Sequence, residues 1–382
     1  MSIEDQVKAS FKKEFGGSGS TYASPGRINL IGEHVDYNGG FVLPGAIDKR
    51  LVAEVKPNGT DRVRLYSADY AETVTFGLSE ADLPQPTWAR YVFGVAREII
   101  KRGGSVRGFD AAFAGNVPLG SGLSSSAALE SVFAFALNEL FECGLAKKDL
   151  AIVGQLTEHN YVGVKCGIMD QFASVFGKKN QLILLNCSTL EYEYIPCTLP
   201  GYRLVLVNSQ VKHTLVDDPY NRRQESCERV VQAIAKRHPQ VALLADANPD
   251  MLREVKGVVS AEDYRRATFV IGEVERVGNT CAALRRGDLT EVGHNMYATH
   301  EGLSRLYEVS CKELDFLNAC ALQHGAAGSR IMGGGFGGCT INLVADAAYD
   351  GFVGNTLCDY EAAFGISAGV YEVKIEDGAK RI

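Results

Sequence analysis

One segment constrains the fold more than any other, because residues 116–130 (NVPLGSGLSSSAALE) join a strand pattern directly to a helix pattern. Gly120 and Gly122 allow the backbone to turn tightly and to approach a ligand closely. The three consecutive serines at 124–126 offer hydroxyl groups and a natural N-cap. The first turn of the following helix carries unpaired N–H groups and the positive end of the helix dipole. The segment therefore predicts a polyphosphate site centred on residues 118–128.

A glycine turn capped by serines is the alternative interpretation, and two glycines alone would favour it. The run of three serines at the start of a helix favours the phosphate site instead. No lysine follows Gly122, so the segment is not a Walker P-loop. A second glycine-rich run, residues 332–338 (MGGGFGG), has five glycines in six positions and precedes a strand pattern. Such a run loses much chain entropy on folding, which a plain tight turn rarely requires.

Charged residues cluster near the N-terminus, in residues 24–48 (SPGRINLIGEHVDYNGGFVLPGAID). Arg27, Glu33, His34 and Asp36 lie within ten residues of one another, and the surrounding glycines and prolines prevent a regular helix. Several polar side chains on a constrained loop suit a polyhydroxylated ligand, because each buried hydroxyl group needs a partner. A solvated loop with an internal ion pair is the alternative, which the interleaved apolar residues disfavour.

A third group of polar residues contains Glu158 and Asp170. Glu158 falls on a helical pattern from residue 150 to residue 161, and the adjacent His159 is interpreted as a packed or capping histidine. Asp170 belongs to the segment GIMDQ, residues 167–171, where we predict a glycine-flanked turn among apolar residues. For Asp170 alone, a helix cap is a simpler interpretation than a catalytic group.

Strand and helix patterns mix without strict alternation, which indicates an α+β fold rather than a doubly wound sheet. Strands are predicted at residues 51–55, 63–66, 109–113, 182–185, 204–207, 340–344 and 370–375. Helices are predicted at residues 2–14, 88–101, 124–140, 222–237, 261–285, 300–308 and 312–323. The length of 382 residues suits two domains, and we place the boundary between residues 1–199 and residues 200–382.

The composition excludes several classes of protein. A net charge of −7 provides no basic field for nucleic acid or anionic lipid. The ten cysteines show no C-x-x-C spacing and the seven histidines no H-E-x-x-H motif, so the common zinc and iron–sulfur templates are absent. No apolar stretch is long enough for a membrane span, and the N-terminal MSIEDQVKAS does not resemble a secretory signal. We therefore expect a cytoplasmic protein with reduced thiols.

Three motifs, in this order, resemble the GHMP family of small-molecule kinases: PLGSGLSSSAA, GIMDQF and MGGGFGGCT. The N-terminal GRINLIGEHVDYNGG resembles the signature of the galactokinase branch of that family. The resemblance extends from about residue 20 to about residue 345. It implies a two-domain α+β fold, with a ribosomal-S5-like N-terminal domain, a ferredoxin-like C-terminal domain and the active site between them.

The resemblance also implies roles for individual residues. Ser126 and Glu158 would hold Mg²⁺ between the ATP phosphates, since hard oxygen donors suit that ion. Residues of the MGGGFGG run would lie beside the sugar and the phosphates. Sugar hydroxyl groups would contact Glu33, His34, Asp36, Gly167, Asp170 and Tyr220. ATP would contact Ser67, Trp88, Tyr91, Pro118, Gly120, Ser121, Gly122, Leu123, Ser124, Ser125 and Ser126. For Trp88 and Tyr91, an aromatic core position is an equally good interpretation.

The reaction implied by the resemblance transfers the γ-phosphate of ATP to the C1 hydroxyl of α-D-galactose. Asp170 would accept the hydroxyl proton, while Arg27 would counter charge on the phosphoryl group and orient Asp170. An arginine beside a carboxylate favours the charged form and weakens it as a base. Because phosphoryl transfer has a loose transition state, Asp170 would then act mainly by positioning the hydroxyl and would take the proton late.

Two alternatives stay open at this point. The first is another GHMP kinase, with N-acetylgalactosamine or arabinose as its substrate. The second is a non-catalytic sensor of galactose and ATP, which the complete serine–alanine run at 124–128 disfavours. We expect a monomer that binds galactose and ATP and has no nucleic-acid or membrane partner.

Overall fold

The computed structural model of the chain describes residues 1–118, 120–211 and 219–382. Within these residues the strands are β1 Ser20–Asn29, β2 Phe41–Val42, β3 Pro44–Pro57, β4 Val63–Ser67, β5 Glu72–Phe76, β6 Phe109–Gly115, β7 Gln181–Asn186, β8 Tyr192–Pro196, β9 Tyr202–Asn208, β10 Gly328–Ile331, β11 Cys339–Ala345, β12 Gly369–Val373 and β13 Lys380–Arg381. The helices are α1 Ile3–Phe15, α2 Thr87–Lys101, α3 Ser125–Leu140, α4 Lys147–Thr157, α5 Met169–Phe176, α6 Pro219–Ala235, α7 Pro249–Glu254, α8 Ala261–Arg286, α9 Leu289–Arg305, α10 Lys312–Gln323 and α11 Tyr349–Phe364.

The first sheet has six strands in the order β13-β1-β3-β6-β4-β5. Neighbouring strands are antiparallel except for β4 and β6, which run parallel. Helices α3 and α5 pack against β1 and β3 and contribute to the main apolar core. Helix α1 also packs on this sheet, over a small separate cluster that contains Val7, Ala23, Val52 and Ala114. The alternation of side chains along β3 therefore gives the sheet two covered faces.

The second sheet is antiparallel, with four strands in the order β10-β11-β9-β12. Leu204 and Leu206 of β9 belong to the main core, while the alternate residues Val205 and Val207 belong to a smaller cluster. That smaller cluster also includes buried residues of α10 and α11, which pack against each other. A third sheet, β2-β7-β8, lies next to β3 and α8.

Most elements predicted from the sequence are present, and the α+β class is confirmed. The helix at 312–323 has the predicted bounds, and the predicted strands at 63–66, 109–113 and 340–344 lie within β4, β6 and β11. Part of the strand predicted at 370–375 is wrong, because β12 ends at Val373. Ile375 instead forms a bridge with Ile47 next to the first sheet. The chain then pairs β13 with β1, and the boundary at 199/200 stays a prediction.

The helix predicted at 300–308 is wrong at both ends, because α9 begins at Leu289 and ends at Arg305. Gly293 interrupts the apolar pattern of this helix, so its first turns were not predicted from the sequence. The structure shows why a glycine is required there: a Cβ at Gly293 would lie 1.9 Å from the carbonyl oxygen of Ala327. The close approach of α9 to β10 therefore explains a residue that helix propensity disfavours.

Arg330 connects the second sheet to the end of β1 in the first sheet. Its side chain, on β10, is fully buried and donates to the carbonyl oxygen of Leu30 (2.8 Å) and to the carboxylate of Glu33 (3.1 Å). It also donates to the carbonyl oxygens of Asn29 and Ile331. These bonds satisfy a buried guanidinium with acceptors from the end of β1 and from its own strand. Among the described residues, no helix is long and apolar enough to cross a membrane.

We expect Arg330→Met to destabilise the protein by about 3–5 kcal/mol, because Glu33 would become an unpaired buried charge. The free energy of unfolding in urea measures this change. Arg305→Met is the matched control, since its exposed ion pair with Glu301 should contribute about 1 kcal/mol or less. A loss for Arg330→Met as small as that of the control would contradict the role assigned to Arg330.

Candidate functional site

The loop between β6 and α3 is shaped by two glycines and a serine with positive φ. Gly120, Gly122 and Ser124 have φ of 69°, 78° and 57°. The loop therefore turns three times before α3 begins at Ser125, with the helix N-terminus pointing its free N–H groups at the loop. Leu119, which belongs to the predicted phosphate segment, lies outside the described residues. The arrangement suits an anion, as the sequence predicted.

The expected side-chain N-cap at Ser124 is not formed. Ser124 occupies the N-cap position in a left-handed conformation, without a capping hydrogen bond. Its hydroxyl group instead donates to the carboxylate of Asp170. Because Ser124 does not cap the helix, the N–H groups of the first turn of α3 stay available to a ligand.

Asp170 and Arg27 form a bidentate ion pair. Arg27 Nε lies 2.8 Å from one carboxylate oxygen of Asp170, and Arg27 Nη2 lies 2.9 Å from the other. Arg27 Nη1 also donates to the carbonyl oxygen of Gly122 at 2.5 Å. Arg27 follows a change of register in β1 after Pro25, and such irregularities redirect side chains next to active sites. Asp170 lies in the first turn of α5 rather than in the predicted turn.

The N-terminal loop that follows β1 carries Glu33 and His34, which are buried and contact the second glycine run. Glu33 accepts hydrogen bonds from Arg330 and from the N–H of Gly333 (2.9 Å). His34 Nε2 lies 3.3 Å from the carbonyl oxygen of Gly334, so Nε2 carries the proton and Nδ1 accepts from the Tyr37 hydroxyl at 2.8 Å. Burial lowers the pKa of the His34 imidazole to about 3, which keeps the ring neutral.

Aromatic rings surround His34 and complete this side of the cavity. The ring centroid of Tyr220 lies 5.5 Å from that of His34 and 5.6 Å from that of Tyr37. The Tyr37 hydroxyl continues the hydrogen-bond chain to the Tyr307 hydroxyl at 2.7 Å. A neutral histidine held between tyrosines offers a rigid polar wall, which suits recognition of hydroxyl groups.

Asp36 and Gly167 pack against each other so closely that only glycine fits. A Cβ added at Gly167 would lie 1.9 Å from Asp36 Oδ2. Burial, reinforced by the nearby charge of Asp170, raises the pKa of the Asp36 carboxyl group to about 7. An acidic group in such surroundings is a strong acceptor for a hydroxyl group of a ligand.

Glu158 begins a π-helical turn, Glu158–Val162, that directly follows α4. Such turns occur frequently at functional sites. Burial raises the pKa of Glu158 to about 7, although a hydrogen bond from Ser126 opposes the shift. Glu158 and Ser126 line the same cavity, so both oxygen donors that the sequence assigned to a metal ion come together.

Glu130 is a further buried acid, which lies one turn after Ser126 on α3. It accepts a hydrogen bond from Gln171 Nε2 at 2.9 Å, and Gln171 directly follows Asp170. Burial and the neighbouring Glu158 hold the pKa of Glu130 well above its usual range. Oε1 of Glu130 and Oε1 of Gln171 have no hydrogen-bond partner among the described residues. No role was predicted for either residue from the sequence.

A cavity of about 380 Å³ joins these groups. Trp88, Ser67 and Ser121 lie outside its lining. Trp88 donates to Glu72 and stacks on Tyr70, while Ser121 donates to the carbonyl oxygen of Pro118, and Ser67 is fully buried. The predicted residues that line the cavity are Arg27, Glu33, His34, Asp36, Tyr91, Pro118, Gly120, Gly122, Leu123, Ser124, Ser125, Ser126, Glu158, Gly167, Asp170 and Tyr220.

Further residues line the cavity without a role predicted from the sequence: Thr87, Val162, Val164, Cys166 and Met169. Their apolar or small side chains carry no chemical signal, although Thr87 precedes the predicted Trp88. Gly333 and Gly334 of the second glycine run also line it, as expected for that run. The two glycine loops touch, since a Cβ at Gly122 would lie 3.0 Å from the carbonyl oxygen of Met332. The backbone of the second glycine run therefore packs directly against the phosphate loop.

Models of known families match three parts of the chain. The galactokinase galactose-binding signature matches residues 9–57, the GHMP kinases N-terminal domain matches residues 90–178 and the GHMP kinases C-terminal domain matches residues 281–360. A galactokinase of Thermotoga petrophila is 39% identical over 360 residues, which cover 94% of this chain and 99% of that protein.

Solved structures extend the comparison to three dimensions. The structure of Lactococcus lactis galactokinase with galactose matches with a TM-score of 0.96 and 32% identity, over 100% of both chains. The mevalonate kinase of Methanococcus jannaschii matches with a TM-score of 0.66 and 16% identity, over 94% of this chain and 99% of that chain, which shows the fold alone. The two-domain GHMP kinase fold implied by the sequence is thereby confirmed. The chain is an ATP-dependent sugar kinase and belongs to the galactokinase family of GHMP kinases.

Proposed function

We propose that this kinase transfers the γ-phosphate of ATP to the C1 hydroxyl of α-D-galactose, which gives galactose 1-phosphate and ADP. The observation that carries the proposal is the three-way contact of Asp170, Arg27 and Ser124. It joins the phosphate loop to α5 and to the end of β1, directly before the N-terminal loop that carries Glu33 and His34, and all of these residues line one cavity. The reacting phosphoryl group and hydroxyl must meet at such a junction, within about 3–3.5 Å. The galactose in the Lactococcus lactis structure supports the choice of sugar.

Asp170 would accept a hydrogen bond from the C1 hydroxyl and take its proton as the bond to phosphorus forms. Arg27 holds both oxygens of Asp170, so the carboxylate has a fixed direction in the cavity. The guanidinium also offsets negative charge next to Gly122, where the transferring phosphoryl group would lie. Since the transition state is loose, a charged and firmly held Asp170 is adequate for a late proton transfer.

Ser126 and Glu158 would hold Mg²⁺ together with the ATP phosphates. The donor set fits that ion, because both groups are hard oxygen ligands in one cavity. The raised pKa of the buried Glu158 also fits, since a divalent cation would favour its charged form. When bound, the ion neutralises charge that develops on the phosphates. The free N–H groups at the start of α3 would hold the remaining phosphate oxygens.

Glu33, His34, Asp36 and Tyr220 would bind the sugar hydroxyls from the opposite wall. Asp36 and Tyr220 are the candidates that read the C4 position, where galactose and glucose differ. A site that pairs each hydroxyl of galactose rejects glucose, because a buried polar group is then left without a partner. Tyr91 would contact the adenine, since it lines the cavity near the phosphate loop. Mg²⁺, the monomeric state and the cytoplasmic location stay predictions.

ADP release in the presence of Mg²⁺, measured with galactose, glucose, N-acetylgalactosamine and arabinose, tests the proposed substrate. We expect galactose to give a kcat/KM at least about 100-fold above that of glucose. A preference for N-acetylgalactosamine or arabinose would assign the chain to a different sugar. No ADP release with any of the four would favour the non-catalytic sensor.

We expect Asp170→Asn to lower turnover by roughly 10²–10⁴-fold, because the amide cannot accept the hydroxyl proton. Galactose binding, measured by calorimetry, should stay nearly intact. Asp110→Asn is the matched control, since Asp110 forms the same bidentate pair with Arg64 outside the cavity. Near-normal turnover of Asp170→Asn would remove Asp170 from the chemical step.

We expect Gly167→Ala to lower kcat/KM for galactose by about 100-fold, because its methyl group would displace Asp36 by about 1 Å or more. Steady-state kinetics at saturating ATP measure the effect. Gly257→Ala is the control, since a Cβ at that position meets no atom within 4 Å. Equal kinetics of the two variants would exclude Asp36 from sugar binding.

Glu158→Gln should raise the Mg²⁺ concentration needed for half-maximal turnover by at least about tenfold, because a charged oxygen ligand is lost. A Mg²⁺ titration at constant ATP measures the change. Glu98→Gln is the control, since Glu98 is also buried but pairs with Lys101 and Arg102 at the C-terminal end of α2. If both variants kept the Mg²⁺ dependence of the parent enzyme, Glu158 would not be a metal ligand.

A further inference from the structure

A second group of metal-ligating side chains lies outside the cavity, between α10 and α11. Cys320 Sγ, a ring nitrogen of His324 and a carboxylate oxygen of Asp359 all lie within 4.8 Å of one another. We refer to these three residues as the Cys320 cluster. None of them lines the cavity described above, and the phosphorylation reaction makes no use of them.

The cluster is formed by two helices that pack against each other. Cys320 and His324 are four residues apart, so they lie on the same face at the C-terminal end of α10. Asp359 comes from α11, on the opposite side of the contact. His324 Nε2 lies 2.7 Å from Asp359 Oδ2. Two helices thus bring a sulfur, a nitrogen and an oxygen donor to one point.

The electrostatic surroundings favour a cation. The carbonyl groups at the C-terminal end of α10 give that end a partial negative charge. The carboxylate of Asp359 adds a full negative charge, and within the described part of the chain His324 is its only ion-pair partner. The cluster is neither fully exposed nor fully closed, since Cys320 is buried, His324 is nearly buried and the Asp359 side chain is 41% exposed. An ion can therefore reach it from the side of Asp359.

We propose that the Cys320 cluster binds a borderline divalent transition-metal ion of the zinc type, through Cys320 Sγ, His324 Nε2 and Asp359. A donor set of one sulfur, one nitrogen and one oxygen suits Zn²⁺ and not Mg²⁺ or Ca²⁺, which prefer oxygen ligands alone. Three protein ligands leave a fourth tetrahedral position for water. The ion takes the place of the Nε2 proton that joins His324 to Asp359; in the neutral ring this proton moves to Nδ1, and the Cys320 thiol releases its own proton to solvent.

Binding requires only small side-chain movements. Nitrogen and oxygen ligands at ~2.0 Å from a tetrahedral ion lie ~3.3 Å apart, so His324 Nε2 and Asp359 Oδ2 would separate by ~0.6 Å. The thiol, whose ligand atom lies at most 4.8 Å from the other two, would come to ~3.5 Å from them and so approach by at most ~1.3 Å. Rotation of the partly exposed Asp359 side chain accommodates the first change, and small rotations of the Cys320 and His324 side chains accommodate the second.

The ion would act as a clamp between α10 and α11. These helices cover one face of the second sheet, over the smaller apolar cluster that contains Leu317, Ala321, Phe352 and Tyr360. This apolar cluster is separate from the main core and much smaller. A metal ion that links α10 to α11 therefore stabilises a part of the molecule with few buried apolar side chains. We therefore expect the ion to raise thermal stability without a change in the kinase reaction.

The test uses the full chain, freed of metal with a chelator and kept reduced. Zn²⁺ binding is measured by competition with a chromophoric chelator, and Co²⁺ is added separately as a spectroscopic probe of thiolate ligation. We expect the parent protein to bind one Zn²⁺ that Cys320→Ser binds at least about 100-fold more weakly, since loss of outer partners alone costs about 10–100-fold. The thiolate–Co²⁺ absorption band should disappear in the same variant.

Cys358→Ser is the matched control, because Cys358 is an exposed cysteine adjacent to Asp359 on α11. It should keep both the Zn²⁺ equivalent and the Co²⁺ band. Asp359→Asn provides a second variant that needs no change in the buried thiol, and it should weaken Zn²⁺ binding while the fold persists. The proposal is overturned if the parent binds no Zn²⁺ equivalent that depends on Cys320, or if Cys358→Ser removes the band instead.

Discussion

The buried ion pair between Arg330 and Glu33 is the interaction on which the arrangement of the active site depends. Arg330 attaches β10 of the second sheet to the end of β1 in the first. Glu33 also accepts a hydrogen bond from the N–H of Gly333, which attaches the second glycine run to the same ion pair. The polar N-terminal loop and the glycine run are thus held by one guanidinium, and neither can shift without leaving a buried charge unpaired.

The remaining parts of the site are aligned by contacts that only glycine permits. Gly122 packs on the carbonyl oxygen of Met332, and a Cβ at Gly335 would lie 2.1 Å from the carbonyl oxygen of Val309. Backbone therefore packs directly on backbone behind the phosphate loop. Arg27 completes the alignment from the front, because it bonds both the loop at Gly122 and the carboxylate of Asp170. The positions of the site residues are thus fixed by direct backbone contacts together with the buried side chains of Arg27 and Arg330.

Most of the residues that line the candidate site were predicted from the sequence, whereas the buried polar residues that hold them in place were not. Glycines, serines and clustered charges carry a chemical signal, so Arg27, Asp170 and the loop before α3 could be found without coordinates. The Glu130–Gln171 pair and Arg330 could not, since a polar residue destined for burial looks like any other until its partners are known. Element bounds failed where tertiary contacts overrule local pattern, as at Gly293 in α9 and at Ile375, which leaves β12 for the first sheet. The Cys320 cluster was invisible for the same reason, because its third member lies on another helix.

Four carboxylates line one cavity among the residues that the structure describes, those of Glu33, Asp36, Glu158 and Asp170. Arg330 and Arg27 pair with Glu33 and Asp170, whereas no ion pair of Asp36 or Glu158 is seen within the described part of the chain. Acidic groups gathered in this way repel one another, and burial adds to the cost of their charge. Ligands that supply cations or hydroxyl donors to the cavity bind the folded chain and not the unfolded one, so they raise its stability by mass action. The lifetime of the enzyme in a cell is consequently coupled to its supply of substrates. A cell that lacks them holds the enzyme in its most easily unfolded form, the form that proteases remove first.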